Sequence, residues 1–188
     1  MDWFFKVIRV AGASFPVASS LVQLQAEIDS VEMTARIDKL SDPISHLHDD
    51  VQKLSKKIYK TLKLTDSVTL DFEDEFYSEF SRPLAALESQ GFIKAQHAIG
   101  KRYACGISLI DPSFLMYMCA IAENNEKMEN LNTAVDSCEI GKSLDGHSLQ
   151  SQLELPLQVV RAMFSIYESK GYGLVSKEIG SAYYLGKV

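Results

Sequence analysis

Few residues in this sequence could perform covalent or metal chemistry, and their spacing does not suit it. His46-Leu47-His48-Asp49-Asp50 is a cluster of metal-ligating types, but two histidines two apart on a helix face different directions. Asp49 and Asp50 suit a solvated helix start, where carboxylates meet the positive end of the helix dipole. The acidic group Asp71, Glu73, Asp74 and Glu75 has the same explanation. The sequence contains no G-x-x-x-x-G-K-[ST], no G-x-S-x-G and no H-E-x-x-H. Phosphate-cradling loops, nucleophile elbows and zinc hydrolase helices therefore lack their defining residues. No catalytic residue, metal ligand or cofactor is expected. Cys105, Cys119 and Cys138 are odd in number and have no C-x-x-C spacing, which fits reduced thiols in a cytoplasmic protein.

Binding chemistry is better represented. Arg82, Lys94, His97, Lys101 and Arg102 gather in one region, and Gln158, Arg161 and Lys177 in another. Cationic side chains neutralise phosphates, while Arg and Gln can read guanine and adenine edges in the major groove. The overall charge opposes this use. The 188-residue chain carries a formal net charge of −6, made of +1 in 1–63, −4 in 64–122 and −3 in 123–188. Any DNA contact would rest on a local positive face, for which the separation of the acids at 66–79 from the bases at 82–102 leaves room. Three or four bases per module make weak contacts unless dimerisation doubles them.

The elements that must carry these residues follow from apolar spacing. Leu21, Leu24, Ile28 and Val31, then less regularly Ile37 and Leu40, form one helical stripe. Ser41-Asp42-Pro43 breaks it, and Ile44, Leu47, Val51, Leu54, Ile58 and Leu62 form a second. The pair suggests a helical hairpin or a dimer interface, with Lys53, Lys56, Lys57, Lys60 and Lys63 on the exposed face of the second helix. A strand is expected over 68–72 and an acidic helix over 73–80. Ser81 as N-cap and Pro83 open a helix that Gly91 stops, and strands follow over 92–98 and 103–109 around Gly100. Asp111-Pro112 starts another helix, and the polar stretch 122–132 is expected as an exposed helix or a linker. Further on, Leu149 and Leu153 mark a short helix. A second helix opens at Pro156 and carries Val159, Val160, Met163, Phe164 and Tyr167. Gly171 ends that helix, and strands over 173–179 and 182–185 turn at Gly180-Ser181.

The two halves echo each other: ESQGF at 88–92 and ESKGY at 168–172 sit at the same helix-to-strand junction. Helix, glycine, strand, glycine, strand in that order resembles the recognition helix and wing of the winged-helix superfamily. The likeness covers the order of elements and no family-specific motif. It implies an α+β fold, mainly helical with small β-hairpins: an N-terminal segment and helical arm over 1–48, a first winged-helix module over 49–122, a helical linker over 123–145 and a second module over 146–188. Tandem winged helices serve DNA-binding regulators and the dimeric "kite" subunits of chromosome-condensing ATPase complexes.

The start of the chain, MDWFFKVIRVAGASFPVASSLVQL, is apolar but interrupted by Lys6, Arg9 and Pro16, too broken for a membrane span and poor as a signal peptide. Trp3, Phe4, Val7, Ile8, Ala11 and Phe15 recur at helical spacing with the two bases on another face. Such a helix docks on its own protein or a sister subunit, or lies on a membrane. The expectation is a non-enzymatic, cytoplasmic accessory subunit that self-associates or docks a protein partner, in a nucleic-acid-handling or defence ATPase complex, with auxiliary contact to double-stranded DNA. The competing expectations are a dimeric transcriptional regulator and a membrane-acting effector using residues 3–24.

Overall fold

The computed structural model describes residues 44–100, 103–123, 125–177 and 181–186, with side chains from Asp50 onward. The arm over 21–40 and the segment 3–24 lie outside the described residues. So do Lys101, Arg102 and the side chains of His46, His48 and Asp49. The described chain is mixed α and β, with seven helices and two small three-stranded antiparallel sheets.

Helix α1 (Ile44–Thr65) turns Val51, Leu54, Ile58 and Leu62 inward along one seam. A short strand β1 (Thr69–Leu70), helices α2 (Asp74–Glu79) and α3 (Ser81–Ser89), and strands β2 (Ile93–Gln96) and β3 (Gly106–Leu109) complete the first half. Its sheet has the order β1-β3-β2. Helix α4 (Pro112–Ala122) connects to the second half: α5 (Asn125–Asp136), β4 (Ser143–Asp145), α6 (Gly146–Leu153), α7 (Leu157–Ser169), β5 (Gly173–Val175) and β6 (Tyr183–Gly186), with sheet order β4-β6-β5. Helix, strand, helix, helix, strand, strand therefore occurs twice, each time with the last strand in the middle of its sheet.

The repeat extends to single hydrogen bonds. Gly91 and Gly171 end α3 and α7 at φ +78° and +81°, a region open to glycine because it has no Cβ. Each donates its N–H to the carbonyl three residues back, Glu88 at 2.9 Å and Glu168 at 2.8 Å. The same two glutamates reach forward: Glu88 Oε1 accepts from the Ala95 N–H at 2.9 Å and Glu168 Oε1 from the Val175 N–H at 3.0 Å. Shared sequence at this corner thus reflects shared backbone chemistry. Each carboxylate pins the first strand of a hairpin to the helix before it.

The core is one contiguous apolar cluster that runs through both halves. α7 packs on α4, α5, α6 and β5, and α4 packs in turn on α1. Phe114 on α4 stacks on Phe92 at 5.6 Å, and Phe164 on α7 stacks on Tyr184 at 5.2 Å. The stretch 123–145, expected as a linker, is integral to this core. Its helix α5 buries Met128, Leu131 and Val135, and β4 pairs with β6 through Ser143–Leu185 and Asp145–Tyr183. Ser81 lies inside α3 instead of capping it, and Phe80 occupies the cap position without a side-chain bond.

Asp111 caps α4 as its sequence context implied: its Oδ1 accepts from the Phe114 N–H at 2.8 Å, with Pro112 in the first turn. Burial holds this carboxyl above the ordinary carboxylate range, while the N–H groups of Phe114 and Ser113 pull it down. A carboxyl raised in the folded state binds its proton more tightly folded than unfolded. Its contribution is fully present below the unfolded value and is lost as pH rises through the folded one. Asp111→Asn retains a capping oxygen without a charge to desolvate. Both Asp111→Asn and Asp111→Ala remove the titrating carboxyl and are expected to flatten the fall in stability from acid to neutral pH, with Asp111→Ala lower than Asp111→Asn by about 1 kcal/mol at both. Urea midpoints at acid and neutral pH compare the three proteins.

Candidate docking and nucleic-acid interface

The sequence-derived cations separate into two groups. Arg82 is exposed in the first turn of α3, Lys94 is exposed on β2 and His97 is exposed just beyond it. Ser81, next to Arg82, lines the same groove of about 150 Å³ as His97, along with Tyr77, Leu84 and Ala95. The start of α3 and the base of the first hairpin therefore adjoin across a mainly apolar groove, which neither Arg82 nor Lys94 lines. The rest of the exposed face of α3 is Ala85, Glu88 and Ser89. Ala85 has no hydrogen-bonding group for a base edge, and the Glu88 carboxylate is engaged with the backbone of β2.

The second group is different. No residue of α7 is exposed: eight of its thirteen are buried and the remainder are half-buried. Arg161 Nη2 donates to the Ser181 carbonyl at 2.6 Å, which ties α7 to the second hairpin. Gln158 is spent on the first half of the molecule. Its N–H donates to Asp66 Oδ1 at 3.3 Å and its Nε2 to the Asp66 carbonyl at 3.0 Å. Both were candidates for base reading, and both are structural. Lys177 remains exposed beyond β5. A recognition helix must present a face to the groove, and α7 has none to present.

The lysines of α1 form a further basic surface. Lys56, Lys60 and Lys63 line a cleft of about 400 Å³ with Tyr59, Ile121, Ala122 and Glu123. Acids offset part of the charge: Lys63 pairs with Glu123 at 2.5 Å, Lys57 with Glu79 at 2.7 Å and Lys53 with Asp50 at 3.7 Å. Lys57 also lies 4.5 Å from the centre of the Phe80 ring. At the floor of the cleft the Tyr59 hydroxyl donates to Glu123 Oε1 at 3.4 Å and lies 3.4 Å from Cys119 Sγ. Burial pushes the Tyr59 hydroxyl upward, with Cys119 and Glu123 adding to it. Burial likewise pushes the Cys119 thiol up to about 12, which keeps it a thiol and removes it from nucleophilic chemistry.

The spacing of residues did not point to the outer face of the second sheet. Leu174 and Leu185 are directly paired across β5 and β6 and are 49% and 40% exposed, with Tyr183 at 51% on the same face as Leu185. On the opposite face Tyr184 is buried. The signal lay in the alternation of Tyr183, Tyr184 and Leu185, apolar on both faces where an open sheet usually carries polar residues on one.

Among the described residues no three His, Cys, Asp or Glu side chains are placed to hold a metal ion. No helix among them is long and apolar enough to cross a membrane. No protein-family model matches the chain, and neither a curated protein nor a solved structure matches it.

Proposed function

We propose that the protein is a non-enzymatic tandem winged-helix subunit that docks a partner protein and makes at most auxiliary contact with DNA through its first half. The winged-helix reading draws support from the twice-repeated element order and from sheets in which the last strand pairs with both others. The docking reading is carried by one observation: α7 exposes none of its residues, and Gln158 and Arg161 are bonded within the molecule. Fold alone does not assign a ligand. An acidic molecule with one buried reading helix suits assembly better than sequence recognition. The partner expected from this reading is a nucleic-acid-handling or defence ATPase complex.

Fluorescence anisotropy with mixed-sequence duplex DNA tests it. At about 0.15 M salt, where exposed charges are screened beyond roughly 8 Å, no binding is expected from the isolated protein. At low salt weak binding is expected, and Arg82→Ala/Lys94→Ala/Lys101→Ala/Arg102→Ala abolishes it. Tight binding at moderate salt that distinguishes one duplex sequence from another overturns the docking reading in favour of a regulator.

A further inference from the structure

The five lysines of α1 are unequally provided for. Lys53 pairs with Asp50, Lys57 with Glu79 and Lys63 with Glu123. Among the described residues Lys56 and Lys60 have no acidic partner, and both line the cleft of about 400 Å³ between α1 and the end of α4. Glu123, the carboxylate of that cleft, is already held by Lys63 at 2.5 Å and Lys127 at 3.8 Å. Lys56 and Lys60 stand one helical turn apart, and like charges at that spacing destabilise a helix. The helix dipole rewards a base only in the last turn, where Lys63 lies. Nor does the repeated topology require a basic row. Helix α5 opens the second half as α1 opens the first, and it carries Lys127 against Glu126, Glu129 and Asp136.

Charge, lining and spacing bear on what the cleft takes. Three lysines face one carboxylate there, a positive surplus in a chain whose net charge is −6, so the complementary occupant is anionic. Ile121 and Ala122 line the α4 side and give contact to an apolar side chain, but nothing to a phosphate. Helix α4 ends at Ala122, which brings its last carbonyls and the negative end of its dipole to the cleft. Those groups repel a DNA backbone, which brings acceptors only, and accept from the N–H groups of a peptide. The spacing agrees. Lys56 and Lys60 are about 6 Å apart along the helix axis, and side chains on one side of an extended peptide recur every second residue, at about 6.7 Å.

We propose that this cleft docks an extended acidic segment of a partner protein, with two carboxylates two residues apart on Lys56 and Lys60 and a neighbouring apolar side chain against Ile121 and Ala122. The inference rests on the docking reading and adds to it the surface used and the chemistry of the partner. Failure of that reading is seen separately, as tight and sequence-selective DNA binding.

The probe is the synthetic peptide Gly-Ser-Glu-Ser-Glu-Ser-Leu-Ser-Gly, titrated into the isotope-labelled full chain to concentrations on the order of millimolar and followed by amide chemical shifts. Shifts are expected at residues 56–63 and 121–123 and on neither sheet. Lys56→Gln/Lys60→Gln keeps good helix formers on an exposed face, and is expected to weaken binding about fivefold to tenfold, the effect of two exposed ion pairs. Lys53→Gln/Lys142→Gln removes the same charge from exposed positions outside the cleft and is expected to leave binding unchanged. Four results overturn the proposal: no shifts at the cleft, equal shifts from a peptide with Lys in place of both Glu, equal losses in the two double variants, and mixed-sequence duplex DNA that shifts the same amides at lower concentration than the peptide.

Discussion

Phe164→Ala is expected to cost about 3–5 kcal/mol, a large share of the roughly 5–15 kcal/mol that holds a domain of this size folded. The ring is fully buried, stacks on Tyr184 at 5.2 Å and lies 3.2 Å from where a Cβ on Gly146 would sit. Its removal leaves a void among rigid neighbours. Gly146 cannot fill it with a methyl group, because that group would meet the Ala182 carbonyl at 2.6 Å. The manner of unfolding is as informative as the size of the effect. One apolar cluster runs through both halves, so a cavity in the second is expected to destabilise the first equally. Urea unfolding followed by far-ultraviolet and near-ultraviolet circular dichroism should give one coincident transition, shifted to lower urea. Two transitions, with the first half surviving, would show that the halves fold independently.

Asp66→Ala is expected to be the most damaging change to a half-buried polar residue, at about 2–3 kcal/mol. Asp66 stands just beyond α1 at φ +50°, in the left-handed region that side chains rarely adopt. Its carboxylate accepts from Gln150 Nε2 at 3.2 Å and from the N–H of Gln158 at 3.3 Å. Gln158 lies in the first turn of α7, whose own cap position is Pro156 with no side chain able to accept. Asp66 therefore caps a helix some ninety residues away in the chain, with its charge at the favourable end of the helix dipole. Alanine loses the acceptors and keeps the strained backbone. Glycine loses the acceptors but relieves the strain, and asparagine tolerates the conformation while keeping one acceptor. The expected order of stability is Asp, Asn, Gly, Ala, read from thermal midpoints. If Gly proved worse than Ala, the cost would lie in lost packing and not in backbone conformation.

Local signals in the sequence were legible wherever the chain determines its own geometry. Gly91 and Gly171 end their helices, and Asp111-Pro112 starts one, because each acts on backbone within a few residues of itself. Features set by distant neighbours were not legible. Ser143–Asp145 is too short and too polar to suggest a strand, and becomes one by pairing with β6. The charged residues around Met128 hid a stripe of Met128, Leu131 and Val135 that α7 covers. The expected strand over 68–72 shortens to Thr69–Leu70, where β3 offers partners. Gln158 and Arg161 have the composition of surface residues, and only the placement of Asp66 and Ser181 reveals what they hold. Arg82, Lys94 and His97 are each exposed on the first half, but Lys94 stands beside Ser108 on the first sheet while His97 lines the groove beside Ser81.

The packing of α7 on α4 carries a mechanical consequence. Tandem modules joined by a flexible linker must pay an orientational entropy each time both engage a target. Here the connection is itself core, so the two hairpins behave as arms of a rigid bracket with one fixed angle between them. A displacement of one hairpin would be carried to the other through α7 and α4 instead of being absorbed in a loose joint.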